Sequence, residues 1–191
     1  MRKLILGFAV GIVAVLLGTF VYVRFGFADP RADIPVGTLE AKVAMPSLDA
    51  AVDKRAPEVH DPLQPSEDNL LAGIKIYQAN CASCHGDIQH PQGMLANALY
   101  PRAPQFVQDA PDMPENQNFY IIQHGIRFSG MPAWKEALSE NEIWQVTTFL
   151  SHMDKLPPNV SMEWKNAAGG TTGQPPTSGA PGQKGHTAMK M

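Results

Sequence analysis

Charged residues are sparse in this chain, and no basic run is present. Lysine and arginine number 15 against 18 aspartate and glutamate residues, and charged residues make up 17% of the 191. A nucleic-acid interface needs clustered Lys and Arg, so nucleic acid is not an expected partner. The chain also lacks a Gly-rich phosphate loop, a nucleophile–base motif and a flavin fingerprint. The sequence therefore carries no recognisable enzyme apparatus.

Cysteine is scarcer still, because Cys81 and Cys84 are the only two. A structural zinc site needs four ligands, and no second cysteine pair or suitably spaced histidine accompanies them. A thioredoxin-type dithiol lies in a βαβ pattern, whereas helix-forming residues precede Cys81 and no strands alternate with them. The third chemistry is c-type haem attachment, for which NCASCHGD at 80–87 has the required spacing.

The spacing of this motif has a physical reason. Two intervening residues make about one helical turn, so the sulfurs of Cys81 and Cys84 reach the same edge of a planar macrocycle. The residue after the second thiol, His85, then points its imidazole at the centre of the ring. We expect Cys81 and Cys84 to bond the vinyl groups of one covalently bound haem c, with His85 as the proximal iron ligand.

A second axial ligand should approach from the other side of the ring. The methionine candidates are Met94, Met113 and Met131, and the histidine candidates are His90 and His124. Met131 is favoured, because the glycine before it allows a close backbone approach and the proline after it fixes the turn. It also lies between the two later predicted helices.

Residues 4–23 form the one long apolar run of the sequence, with twenty uncharged residues. A helix of this length crosses a ~30 Å hydrocarbon layer. Arg2 and Lys3 precede the run. By the positive-inside rule the run would then cross the bacterial inner membrane with its N-terminus in the cytoplasm and the chain after Arg24 in the periplasm. A cleaved signal peptide is the alternative, because 26–28 is a small-x-small triplet. Signal h-regions run to only about 7–15 residues, so an uncleaved single-pass anchor is expected.

Composition divides the chain into four segments. An anchor at 1–24 is followed by a Pro-rich stalk at 25–65, a folded core at 66–157 and a Gly/Pro/Thr-rich tail at 158–191. The prolines of the stalk exclude a continuous helix, although one short helix fits before Pro57. The tail has almost nothing to bury, so it is expected to be disordered.

Three helices are predicted within the core. The first is capped by Ser66 and runs into the cysteine motif, the second covers 115–124, and the third begins with a capping box of Ser139 and Glu142. Each has an apolar face at helical spacing. The predicted inward residues are Leu70, Leu71, Ile74, Tyr77, Phe119, Ile122, Ile143, Val146, Phe149 and Leu150.

From about 66 to 157 the chain resembles the small class I cytochromes c, especially the membrane-anchored monohaem forms of bacteria. The resemblance is carried by GIKIYQANCASCHGD, LYPRAPQF, GMPAW and EIWQVTTFL. It implies an all-α fold of three main helices around one covalently attached haem, with the first and last helices crossing where Gly73 approaches an aromatic such as Trp144. It also implies His85 and Met131 as the axial ligands.

Two further residue roles are expected around the haem. A ligating histidine usually donates its other ring N–H to an acceptor, and the stretch Tyr100–Pro104 can offer a backbone carbonyl for His85. Arg102 is a candidate contact for a haem propionate, although a solvated arginine is the simpler interpretation.

The expected function is electron transfer without catalysis. Imidazole and thioether would fill both axial positions, which leaves no open site for oxygen or substrate. The first hypothesis is a membrane-tethered carrier between a respiratory complex or dehydrogenase and an acceptor; the second is a fixed subunit of a larger membrane oxidoreductase. A catalytic or gas-sensing haem is the third. Residues 66–157 hold five Lys and Arg against ten Asp and Glu, a balance of -5, so docking should not depend on a ring of lysines.

Overall fold

The computed structural model describes residues 1–27 and 29–167, and this part of the chain is helical, without a β-strand. Two short 3-10 turns, at Ala96–Ala98 and Trp134–Glu136, interrupt the loops. An all-α fold, as predicted, is therefore found. The α-helices are α1 (Arg2–Arg24), α2 (Thr38–Arg55), α3 (Glu67–Asn80), α4 (Ala82–His85), α5 (Glu115–His124), α6 (Glu140–Ser151) and α7 (Pro158–Ala167).

Helix α1 stands apart from the packed unit. Its 23 residues are long and apolar enough to cross a membrane, and none of the residues in its most apolar window is buried in the protein. An apolar helix with no protein partner must bury its surface elsewhere, so α1 is a candidate membrane-spanning helix. The triplet that leaves signal cleavage open includes Ala28, which lies outside the described residues.

The starts of the core helices follow from their capping residues. The Ser66 hydroxyl accepts a hydrogen bond from the Asn69 amide at 3.3 Å and caps α3. At α6, the Glu142 amide donates to Ser139 Oγ at 3.4 Å, while the Glu142 carboxylate accepts from the Ser139 amide at 2.8 Å. The predicted capping box is thus confirmed, and α5 begins and ends where the sequence predicts.

Helices α3 and α6 cross in close contact at Gly73. A Cβ atom placed there would lie 2.3 Å from the Gln145 carbonyl oxygen and 2.7 Å from Phe149 Cβ. Gly73 therefore does approach an aromatic residue of the last core helix, but that residue is Phe149 and not the Trp144 named as the example. Trp144 instead stacks on Phe119 of α5, with ring centroids 4.0 Å apart, because it lies on a different face of α6.

The core between these helices is built from the predicted faces. Nine of the ten inward residues are buried, while Leu71 lies at the margin and packs against the cluster. Helix α6 contributes most to the core, because seven of its twelve residues are buried.

The interpretation of 158–191 as a disordered tail is wrong for its first ten residues. Pro158 is the first residue of α7, a position where its missing N–H costs nothing. Val160 and Trp164 are buried, and the Trp164 ring packs edge-on against Tyr77 and Phe149 at 5.5 and 5.1 Å. The mostly polar composition of the segment gave no sign that these two residues would be buried. Residues 168–191, the rest of the predicted tail, lie outside the described residues.

The segment 25–65 is also more ordered than a Pro-rich stalk suggests. Helix α2 runs for 18 residues and continues through Pro46, so the short helix predicted before Pro57 underestimates it. A proline inside a helix costs about 3 kcal/mol, and contacts with the core offset this cost. Val52 is buried, the Tyr100 hydroxyl donates to the Glu40 carboxylate, and Asn116 Nδ2 donates to the Pro57 carbonyl at 2.9 Å.

Candidate functional site

The two cysteines and His85 lie on a single helical turn at the end of α3. Cys81 ends α3, and its carbonyl accepts from the amides of Cys84 at 3.0 Å and His85 at 2.9 Å. Gly86 follows with φ of +80°, which lets the chain turn away at once. Tyr77 secures this turn, because its buried hydroxyl donates to the Gly86 carbonyl at 2.7 Å. The thiols and the imidazole are therefore held on one rigid unit.

The imidazole of His85 has the burial, orientation and protonation expected of a candidate metal ligand. The residue is 9% exposed, and its Nδ1 lies 2.9 Å from the Pro104 carbonyl oxygen. Because a carbonyl only accepts, Nδ1 must carry the proton, and Nε2 keeps its lone pair. Burial lowers the pKa of His85, an effect only partly opposed by the hydrogen bond to Pro104, so the ring is neutral. The predicted carbonyl within 100–104 is thus that of Pro104.

Phe106 also contacts His85, through its ring and its backbone amide. This role was not predicted from the sequence. Its ring stacks on the imidazole with centroids 4.3 Å apart and planes 5° apart. Its amide also donates to the His85 carbonyl at 3.1 Å. The signal in the sequence is weak, because an aromatic residue two positions after a proline has no fixed meaning outside the fold.

The thiols do not resemble a redox-active pair. Both cysteines are free in the structure, and burial raises the pKa of Cys81 to about 12. A thioredoxin-type dithiol lies in a βαβ unit, and the described part of the chain has no β-strand, so this alternative lacks support. No group of three or more His, Cys, Asp or Glu residues suitable for a metal ion occurs within the described ranges, which also disfavours zinc.

The Met131 loop is a closed structure between α5 and the 3-10 turn at Trp134–Glu136. Gly125 has φ of +66°, and a Cβ there would lie 2.6 Å from the Met131 carbonyl oxygen. The Ile126 amide donates to that same oxygen at 3.2 Å, and Ser129 Oγ accepts from the Met131 amide at 3.1 Å. The half-buried Met131 side chain packs against the core cluster.

The other candidates for a second ligand lie in different surroundings. Met94 is 83% exposed, and His90 and His124 are also exposed. His90 faces Asp87, while His124 lies beside Tyr120 on the outside of α5. Among the five candidates, Met131 is the one that packs against the core cluster.

Arg102 is exposed and borders a cavity of about 350 Å³ between the loop 97–102 and the segment 33–36. Its position agrees with the simpler expectation of a solvated side chain, and a propionate contact for Arg102 stays a prediction.

The donor groups present suit a c-type haem. Two thiols stand one turn apart beside a neutral imidazole whose Nε2 is free, and a thioether lies on a separate ordered loop. Thiols for covalent bonds and a nitrogen and a sulfur for iron are the groups that such a cofactor uses.

Comparison with known proteins points to the same segment. Residues 68–150 match the family model described as cytochrome C oxidase, cbb3-type, subunit III. One similar solved structure comes from the reducing HAO-like protein complex of Kuenenia stuttgartiensis. It shares 25% identity over 49% of this chain and 48% of that chain, with a TM-score of 0.41. The chain thus spans about half the length of that protein. No curated protein matches the sequence.

Proposed function

We propose that residues 68–150, which match the family model described as cytochrome C oxidase, cbb3-type, subunit III, form a haem-binding c-type cytochrome domain. The protein is then a membrane-tethered carrier of single electrons with one covalent haem. Cys81 and Cys84 would form the thioether bonds of the haem, and His85 and Met131 would hold its iron. Within the bound domain the haem supplies the one-electron redox couple, and the polypeptide sets its environment.

The observation that carries this proposal is the state of His85. A ligand to iron must offer an unprotonated nitrogen in a fixed direction. His85 Nδ1–H donates to the Pro104 carbonyl oxygen at an Nδ1-to-oxygen distance of 2.9 Å, and Phe106 fixes the plane of the ring by stacking. A hydrogen bond at Nδ1 also raises the basicity of the ring, which strengthens its donation to a metal. A histidine that only fills the core would not require a fixed tautomer, a stacked ring and two adjacent thiols together.

Met131 is proposed as the distal ligand because contacts within the fold hold its loop in place. Two hydrogen bonds and the Gly125 turn hold its backbone, so little conformational entropy is lost when the thioether binds iron. A thioether and an imidazole together would favour ferrous iron and would leave no position for oxygen.

The tether confines the search for partners. Helix α1 anchors the chain, and Arg2 and Lys3 at its N-terminal end favour a periplasmic cytochrome domain. Tethering raises the effective concentration near membrane partners, so individual contacts can be weak. The formal net charge of -5 over residues 66–157 argues against docking through a ring of lysines. A large loss of electron-transfer rate with an acidic partner on adding salt would contradict this.

A second candidate is a fixed subunit of a membrane oxidoreductase. The matched family is described as a subunit of an oxidase, which favours this alternative. Mild detergent extraction followed by purification distinguishes the two functions. A stoichiometric partner that stays bound would support a subunit, and a haem protein that purifies alone would support a mobile carrier.

Spectroscopy of the purified protein in both redox states tests the haem itself. We expect haem to stay with the polypeptide in acidified organic solvent, and a near-infrared band of methionine-bound ferric haem. The Met131→Ala variant should lose that band and bind carbon monoxide when reduced, whereas the exposed Met94→Ala control should do neither. Ready binding of carbon monoxide by the wild-type ferrous protein at neutral pH would favour the catalytic or gas-sensing alternative.

A further inference from the structure

Gln105 lies between the two residues that hold His85. Pro104 before it presents the carbonyl to His85 Nδ1 at 2.9 Å, and Phe106 after it donates its amide to the His85 carbonyl at 3.1 Å. The segment 103–106 belongs to neither a helix nor a strand. No regular ladder of hydrogen bonds therefore fixes its distance from α4.

The side chain of Gln105 joins three separate stretches of backbone. Its Nε2 donates to the carbonyls of Cys84 at 3.0 Å and Ala103 at 2.7 Å, and its Oε1 accepts from the Gly93 amide at 2.7 Å. Both N–H groups and the oxygen of the amide are thus used. One bond reaches the residue directly before His85, and another reaches the residue directly before Pro104.

The loop at Gly93 is pressed against the same turn. A Cβ placed on Gly93 would lie 2.5 Å from the carbonyl carbon and oxygen of Cys84. The Cys84 carbonyl is therefore enclosed on one side by backbone and on the other by the Gln105 amide. A side chain that fixes both partners of the Pro104–His85 hydrogen bond acts on the imidazole without touching it.

We propose that Gln105 is a positioning residue that sets the strength of the hydrogen bond from His85 to Pro104, and through it the reduction potential of the centre. This inference rests on the proposed ligation of iron by His85. When the amide is lost, the segment 103–106 keeps fewer bonds to α4, and the Pro104 carbonyl draws away from Nδ1. A less basic imidazole stabilises ferric iron less, so the potential rises.

The test compares Gln105→Met with Gln108→Met in the full-length haem-loaded protein. Methionine keeps the length of glutamine but makes none of its amide hydrogen bonds. Gln108 is the matched control, because it lies in the same loop, is exposed, and makes a single side-chain bond, from Nε2 to the Pro91 carbonyl at 2.9 Å. The readouts are the midpoint potential and the exchange rate of the His85 Nδ1 proton, measured by NMR on the ferrous protein.

We expect Gln105→Met to raise the potential, with a change of about tenfold in the ferric-to-ferrous ratio, ~59 mV for a one-electron couple. Nδ1 proton exchange should accelerate in the same variant, while Gln108→Met leaves both values unchanged. Gln105→Asn keeps an amide that is one methylene too short to bridge all three partners. It should shift both readouts in the same direction by less, and it serves where Gln105→Met fails to mature.

A lower melting temperature with an unchanged potential and unchanged proton exchange would overturn the inference, because a purely structural residue gives that result. A failure of the proposed function appears earlier and separately. The wild-type protein itself would then lack the spectrum of histidine- and methionine-bound haem.

Discussion

Replacing Gly73 with alanine tests the crossing of α3 and α6. The new Cβ would lie 2.3 Å from the Gln145 carbonyl oxygen, whereas a carbon–oxygen contact needs about 3.3 Å. The obstacle is backbone, so one helix must move by about 1 Å. Overpacking of this kind costs about 1–3 kcal/mol, and the clash with a fixed carbonyl favours the upper end. Alanine recovers about 1 kcal/mol through its higher helix propensity.

The net expectation is a loss of about 2 kcal/mol in the free energy of unfolding. For a domain of about 100 residues this lowers the melting temperature by about 8–16 °C. Thermal unfolding of the ferric protein in detergent, followed by circular dichroism, measures the change. Gly18→Ala is the control, because a Cβ at Gly18 in α1 meets no atom within 4 Å. A Gly73→Ala protein that melts at or above the wild-type temperature would refute the close crossing.

Three further changes test other parts of the fold. Trp164→Ala should destabilise the cytochrome domain by about 3–5 kcal/mol in the same assay, because the ring is buried in the core, and a change below 1 kcal/mol would contradict the docking of α7. Ser139→Ala should cost about 1 kcal/mol at neutral pH. Hydrogen bonds from Ser139 lower the pKa of Glu142. The stabilisation of the fold by the ionised Glu142 carboxylate is therefore complete above the ordinary glutamate pKa and is lost as pH falls through the lowered value. The penalty should therefore shrink below about pH 4. Tyr100→Phe removes the hydrogen bond to Glu40 and should speed tryptic cleavage within α2, while unchanged cleavage would show that this contact does not hold the helix.

The differences between expectation and structure have two physical sources. Composition over a window suggested an irregular stalk and a disordered tail, and averaging hid the few residues that dock α2 and α7. Val52 is buried although most of α2 is exposed, and Trp164 is buried although it lies between Glu163 and Lys165. A local pattern cannot show that a binding surface for such a residue exists elsewhere in the chain.

The amino-acid sequence alone determined the features whose causes lie within about one helical turn. These are the long apolar N-terminal helix, the capped starts of α3 and α6, and the placing of two thiols and an imidazole on one turn. Each depends on neighbouring residues whose geometry the backbone imposes.

Only the tertiary structure decided which distant groups meet. The carbonyl that accepts the hydrogen bond from His85 Nδ1 belongs to Pro104, nineteen residues away. The helix that covers Tyr77 begins after the proline that ends the predicted core. Such contacts arise when separate segments compete to fill one core and to pair buried polar atoms. Their outcome depends on the whole fold, because no short stretch contains both partners.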